Sequence, residues 1–113
     1  MPPTVRRFGQ VLGLDLARLD EYVRHHAKIW PEIEHAIRAA GIRNYSIFQR
    51  GGTLFGYYEY HGPPGEYDTR MRALAAAPRM REWWDLMESM QIPLPDRSPE
   101  EWWCEMDEVF HQD

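Results

Sequence analysis

The 113-residue chain is 43% hydrophobic and 27% charged with a net charge of −5, values that fit one globular domain over residues 1–113 and exclude a disordered chain. The acidic balance argues against a nucleic-acid partner, which needs a basic face, and no run approaches the ~18 apolar residues of a membrane span. A single cysteine, Cys104, excludes an internal disulfide and makes a zinc site improbable; with no apolar run behind the charges of Met1 to Arg7, the chain reads as soluble and cytoplasmic.

In chain order, Arg6 to Leu14 is a short apolar run that predicts a strand. Asp15 suits an N-cap, and Leu16, Leu19, Tyr22, Val23 and His26 follow at helical spacing. Pro31 cannot sit inside an unbroken helix without losing a hydrogen bond and clashing, so it predicts a second helix over Pro31 to Ala40, closed by Gly41. His26 then falls in the last turn of the first helix, where the helix dipole favours the imidazolium by a few tenths to ~1 kcal/mol.

Arg43 to Gln49 and Thr53 to Tyr60, separated by Arg50-Gly51-Gly52, read as a hairpin. His61 to Gly65 reads as a loop without helix or strand. A helical region follows, restarted at Pro78, in which Met80, Trp83, Trp84, Met87 and Met90 recur at helical spacing. The proline-rich stretch Ile92 to Pro99 reads as an irregular crossing, and Trp103 to Phe110 alternates well enough for a final strand. The order is β-α-β-β-α-β, the ferredoxin-like α+β arrangement. Its helices cover one face of the sheet. If Phe8, Tyr45, Tyr57 or Phe110 point to the bare face, a second copy must cover it, which predicts a homodimer packed sheet to sheet.

The chemistry centres on Tyr22 and His26. Four residues apart on a helix, the phenol and the imidazole share one face, a plausible fragment of an acid–base site for a small polar molecule; a buried helix stripe explains the pair equally well. His25 faces elsewhere, which leaves His26 as the candidate. Trp83 and Trp84 read as core by default, but both cannot fit one narrow stripe, so one belongs at its edge, where an indole can stack on a sugar. Tyr45 reads first as a sheet-facing core tyrosine, and Trp102-Trp103 as a structural or interface clamp. Asp96, in Pro95-Asp96-Arg97-Ser98-Pro99, is a turn former or a carboxylate at a pocket mouth. Asn44-Tyr45-Ser46 formally matches a glycosylation acceptor, but no secretory signal supports it. There is no phosphate-binding loop, dinucleotide fingerprint, nucleophile elbow or histidine pair at metal-ligand spacing, which leaves proton transfer as the available chemistry.

Taken together, Glu21-Tyr22-x-x-x-His26-x-x-Ile29-Trp30-Pro31-Glu32, Gly41-x-x-Asn44-Tyr45-Ser46-Ile47, Trp83-Trp84-x-x-Met87, Pro95-Asp96-x-Ser98-Pro99 and Glu108-Val109-Phe110-His111 resemble the L-rhamnose mutarotase family. The resemblance runs in order from about Arg6 to His111. It implies a dimeric α+β barrel and a cofactor-free enzyme that interconverts the anomers of a 6-deoxy-sugar monosaccharide. It places His26 on the family's catalytic proton donor, a general acid, and Tyr22, Tyr45, Trp83 and Trp84 on its sugar-binding positions. The general base is open between water, Asp96 and a partner-chain residue. The proline-rich His61 to Gly65 loop, a longer Gln91 to Leu94 connection and Trp102-Trp103 depart from the pattern, and loops of this kind shape specificity. Two other classes fit the same scaffold: a non-catalytic sugar-binding or assembly module, and a small oxygenase or isomerase for an aromatic substrate.

Overall fold

The computed structural model describes residues 5–113; the first four residues, on which part of the N-terminal reading rests, lie outside the described residues. The architecture is mixed α+β. Strands β1 (Val5–Leu14), β2 (Ile42–Arg50), β3 (Thr53–His61), β4 (Gln91–Ile92) and β5 (Cys104–Met106) form one antiparallel sheet in the order β2-β3-β1-β4, with β5 also pairing β1. Helices α1 (Leu19–Ala27) and α2 (Pro31–Ala39) link β1 to β2, and α3 (Tyr67–Ala76) and α4 (Pro78–Glu88) link β3 to β4. Among the described residues no helix is long and apolar enough to cross a membrane.

The strand alternation sets which face is covered. Along β1, Phe8, Leu12 and Leu14 are buried, and Leu54 and Tyr60 of β3 lie on the same side. The main core joins Leu12, Leu14 and Leu54 to Tyr22, Ile33, Met80, Trp83, Met87 and Met90; a second cluster holds Phe8, Ala40, Ile42 and Tyr60. Each fully buried aliphatic side chain of this kind contributes about 1.5–3 kcal/mol. Pro31 and Pro78 each sit at the start of their helix, where a missing N–H costs nothing. Gly51 and Gly52, with φ +58° and +88°, make the two-residue turn between β2 and β3.

Several expectations need correction. Asp15 caps a 3-10 turn, Leu16–Arg18, by accepting from the Ala17 N–H at 3.0 Å; the α-helix proper begins at Leu19. Strand β3 runs through His61, and Pro64–Glu66 form a second 3-10 turn, so His61 to Gly65 is not all loop. Gln91–Ile92 at the head of the proline-rich crossing pairs with Gly13 and Leu14 of β1. The last strand is three residues long, pairing Cys104 to Met106 with Val11 to Gly9. Beyond it Val109 is 95% and Phe110 79% exposed, so their apolar alternation finds no face to bury.

Of the four aromatics considered for the bare face, Phe8 is core and Tyr45 turns to the helix side; Tyr57 lies on the bare side opposite Gly9. Phe110 borders a groove there with Phe55 and Met106. The diversion of Tyr45 has a clear cause. Pairing jumps from Arg43↔Glu59 to Ser46↔Tyr57, and Asn44 takes a positive φ of 52°. This bulge inserts one residue and shifts the alternation. Asn44 Nδ2 donates to Glu59 Oε1 at 2.9 Å on the bare side, while the Tyr45 ring meets Tyr58 at 5.5 Å.

Candidate active site

Between the covered face of the sheet and helices α1 and α4 lies a cavity of about 990 Å³. His26, Tyr22, Tyr45, Trp83 and Trp84, the five site residues expected from the sequence, all line it. His25 and Asp96 do not. His25 instead lies 3.5 Å from Glu21, and Asp96 is exposed in the turn after Leu94. Asp96 thus sits in a turn and is not among the residues that line this cavity.

Helix α1 delivers the pair as four-residue spacing requires: Tyr22 and His26 rings stand 4.4 Å apart. His26 Nδ1 lies 2.8 Å from the backbone oxygen of Tyr22. A carbonyl only accepts, so Nδ1 carries the proton and the neutral ring keeps its lone pair on Nε2. Trp83 packs edge-on to His26 at 5.5 Å and is itself braced by Trp30 at 5.2 Å. The helix-end position favours the imidazolium, yet the outcome is the reverse. Burial among these rings lowers the His26 pKa from its ordinary 6.5, the Tyr22 carbonyl opposes this, and nearby His25 adds to it. Removing water outweighs the dipole here.

Tyr22 is 4% exposed, and burial raises its pKa while a hydrogen bond from Gln91 works against the rise. Tyr45 keeps 43% of its surface, but the crowding is at its hydroxyl end. There burial, followed by the neighbouring Tyr22, pushes the phenol up to about 12. Both phenols therefore stay protonated as donors near neutral pH. Trp83 is 5% exposed and in the core, whereas Trp84 is half-buried with Arg81 over its ring at 5.5 Å. One indole is buried and its neighbour sits at the stripe's edge, as the spacing required.

The sequence missed part of this wall. Trp102 and Trp103, read as a clamp, line the same cavity, as do Gln91 and Tyr58. A Cβ at Gly56 would stand 3.3 Å from Trp103, so that glycine makes room for the indole. Trp102 Nε1 donates to Gln91 Oε1 at 2.8 Å, and Gln91 Nε2 donates to the Tyr22 hydroxyl at 3.0 Å. Only the doubled tryptophan hinted at this wall; nothing in the spacing of Gln91 did.

One imidazole with a free acceptor nitrogen, phenol donors and indole walls around a single cavity bring together groups able to exchange protons with a polar, partly apolar ligand. A family model described as L-rhamnose mutarotase matches residues 7–112. The chain is 39% identical to the L-rhamnose mutarotase of Opitutus terrae over 82% of this chain and 85% of that one. It is 34% identical to the one from Ligilactobacillus salivarius over 95% and 97% of the two chains. The crystal structure of L-rhamnose mutarotase from Formosa agariphila superposes with a TM-score of 0.72 at 25% identity, covering 96% of this chain and 99% of that one. The chain belongs to the L-rhamnose mutarotase family, a family of isomerases.

Proposed function

We propose that this protein interconverts the α and β anomers of L-rhamnose or a close 6-deoxy-aldose, with His26 moving the proton and Tyr22, Tyr45, Trp83 and Trp84 holding the sugar. The observation that carries this reading is the convergence of all five side chains on one cavity in a chain of this family. Neutral His26 offers Nε2 to the anomeric hydroxyl and takes its proton. The C1–O1 bond becomes a carbonyl as the C1–O5 bond breaks, and the electron pair goes to the ring oxygen. The imidazolium then returns the proton to that oxygen as general acid. Rotation about C1–C2 and the reverse sequence close the other anomer. Because O1 and O5 share one carbon, a single imidazole reaches both, and no separate carboxylate base is needed. Acid–base help of this kind supplies about 10²–10⁴-fold. The indoles suit the apolar patch of a deoxysugar, and the phenols its hydroxyls.

In this reading residues 1–113 act as one ferredoxin-like domain in the cytoplasm, and two copies pack sheet to sheet as a dimeric barrel. Support for the dimer comes from the row Phe48, Phe55, Val11 and Cys104 across the bare face, with Phe48 62% and Met106 48% exposed. The test is anomer exchange by saturation-transfer NMR across L-rhamnose, L-fucose and L-lyxose. Enhanced exchange, fastest on L-rhamnose, is expected. Saturable sugar binding with exchange at the buffer rate would instead support the non-catalytic sugar-binding module.

A further inference from the structure

Gln91 is a buried polar side chain, 9% exposed, with both ends engaged. Its oxygen accepts from Trp102 Nε1 at 2.8 Å and its nitrogen donates to Tyr22 Oη at 3.0 Å. An indole can only donate, so Trp102 fixes which end of the amide faces it. The NH₂ end must then face Tyr22, whose oxygen accepts, and the phenol proton is turned away from Gln91. Each partner comes from a different element: Tyr22 from α1, Gln91 from β4 on the Leu14 position of β1, and Trp102 from the segment leading into β5. All three line the cavity that holds His26.

We propose that Trp102 and Gln91 are positioning residues that set the hydrogen-bond direction Trp102 to Gln91 to Tyr22, so that the Tyr22 O–H donates into the cavity to the sugar oxygen that gains charge on ring opening. This rests on the mutarotase reading. In the step above, the ring oxygen takes the electron pair of the breaking C1–O5 bond, and an O–H already aimed at it stabilises that charge without reorientation. No proton leaves Tyr22; it lends only a hydrogen bond, while His26 transfers the proton. The charged and titratable groups that face this chain from the packed elements include His26 on α1, Tyr45 on β2, Arg81 and Glu88 on α4, and Arg97, which lies 5.3 Å over the Trp102 ring.

The decisive variant is Gln91→Glu. Its ionised carboxylate accepts at both oxygens, so Tyr22 must donate to it, and the phenol proton is withdrawn from the sugar. Once protonated, the new carboxyl group can accept from Trp102 and donate to Tyr22, which restores the direction. A carboxyl buried there titrates above the ordinary range. Relative to wild type on L-rhamnose, kcat of Gln91→Glu is expected to fall about tenfold or more at pH 8, with KM moving less, and to recover as pH falls toward 5. Gln91→Leu removes the constraint without reversing it, so its deficit is smaller and flat with pH. Trp102→Phe, which keeps a ring but loses the N–H, identifies the Trp102 indole signal in the ¹⁵N spectrum of the free protein, and that signal is expected to shift in Gln91→Leu. A deficit in Gln91→Glu that does not change with pH, or wild-type kcat at pH 8, overturns the proposal and leaves the mutarotase reading standing. Absence of exchange by wild type on every aldose overturns both.

Discussion

Both faces of the sheet carry aromatic side chains and use them differently. On the covered face, Tyr22, Tyr45, Trp83 and Trp84 ring a cavity in which two key polar groups are held in direction: Nδ1 of His26 is tied to a carbonyl and Tyr22 is tied to Gln91. On the bare face, Phe48 and Phe55 stand 6.3 Å apart and open to solvent. The polar groups there gather around Glu59, which accepts from Asn44 at 2.9 Å, Tyr57 at 2.8 Å and His61 at 2.7 Å. Ordered rings around a void suit a ligand, whereas ordered rings on an open plane suit a second sheet. The same strands build both faces, and the Asn44 bulge is what moves Tyr45 from the second kind of surface to the first.

Substitutions that act on one face alone test that contrast. The largest expected effect is on folding: Leu12→Ala, at a fully buried core position, should cost about 2–5 kcal/mol in urea unfolding, with the same loss at every protein concentration. Next, Phe48→Glu or Met106→Glu on the bare face should weaken association at least about tenfold, because a charge without a partner is costly to bury. Sedimentation then shows monomers, and the unfolding midpoint loses its concentration dependence. An unchanged sedimentation profile would remove the case for sheet-to-sheet packing.

A smaller effect separates the faces by pH. The hydrogen bonds from His61, Asn44 and Tyr57 pull the Glu59 carboxyl down to about 2. A depressed carboxylate contributes stability that is present above its unfolded value near 4.5 and lost as pH falls toward about 2. Glu59→Gln should therefore flatten the stability curve in that acid window only. On the covered face, the lowered pKa of His26 means the unfolded chain binds a proton more readily, so its contribution to stability declines as pH falls below 6.5. For the same reason kcat/KM on L-rhamnose should drop on the acid side with an apparent pKa below 6.5 and stay level above it.

Much of this was legible in the sequence because it rests on local periodicity. The i, i+4 spacing of Tyr22 and His26, the helix starts at Pro31 and Pro78 and the Gly51-Gly52 turn are short-range signals, and each appears where it was expected. What could not be read depends on contacts across the chain. Gln91 and Trp102 meet because two short strands dock on one edge of β1, and a two-residue strand leaves no pattern. The bulge at Asn44 is a single backbone angle that ordinary strand alternation conceals. The His26 shift runs opposite to the helix-dipole expectation because burial, which no local spacing reveals, outweighs the helix-end effect. The final strand was read too long because Val109 and Phe110 alternate without a surface to cover them.

The central claim, that the covered-face cavity is where the anomers exchange and that His26 moves the proton, is tested most directly by saturation-transfer NMR on L-rhamnose with His26→Ala. The variant should keep the wild-type circular dichroism and sedimentation while its catalysed exchange falls by about 10²–10⁴-fold. Exchange at the wild-type rate in the folded variant would contradict the claim and place the chemistry elsewhere.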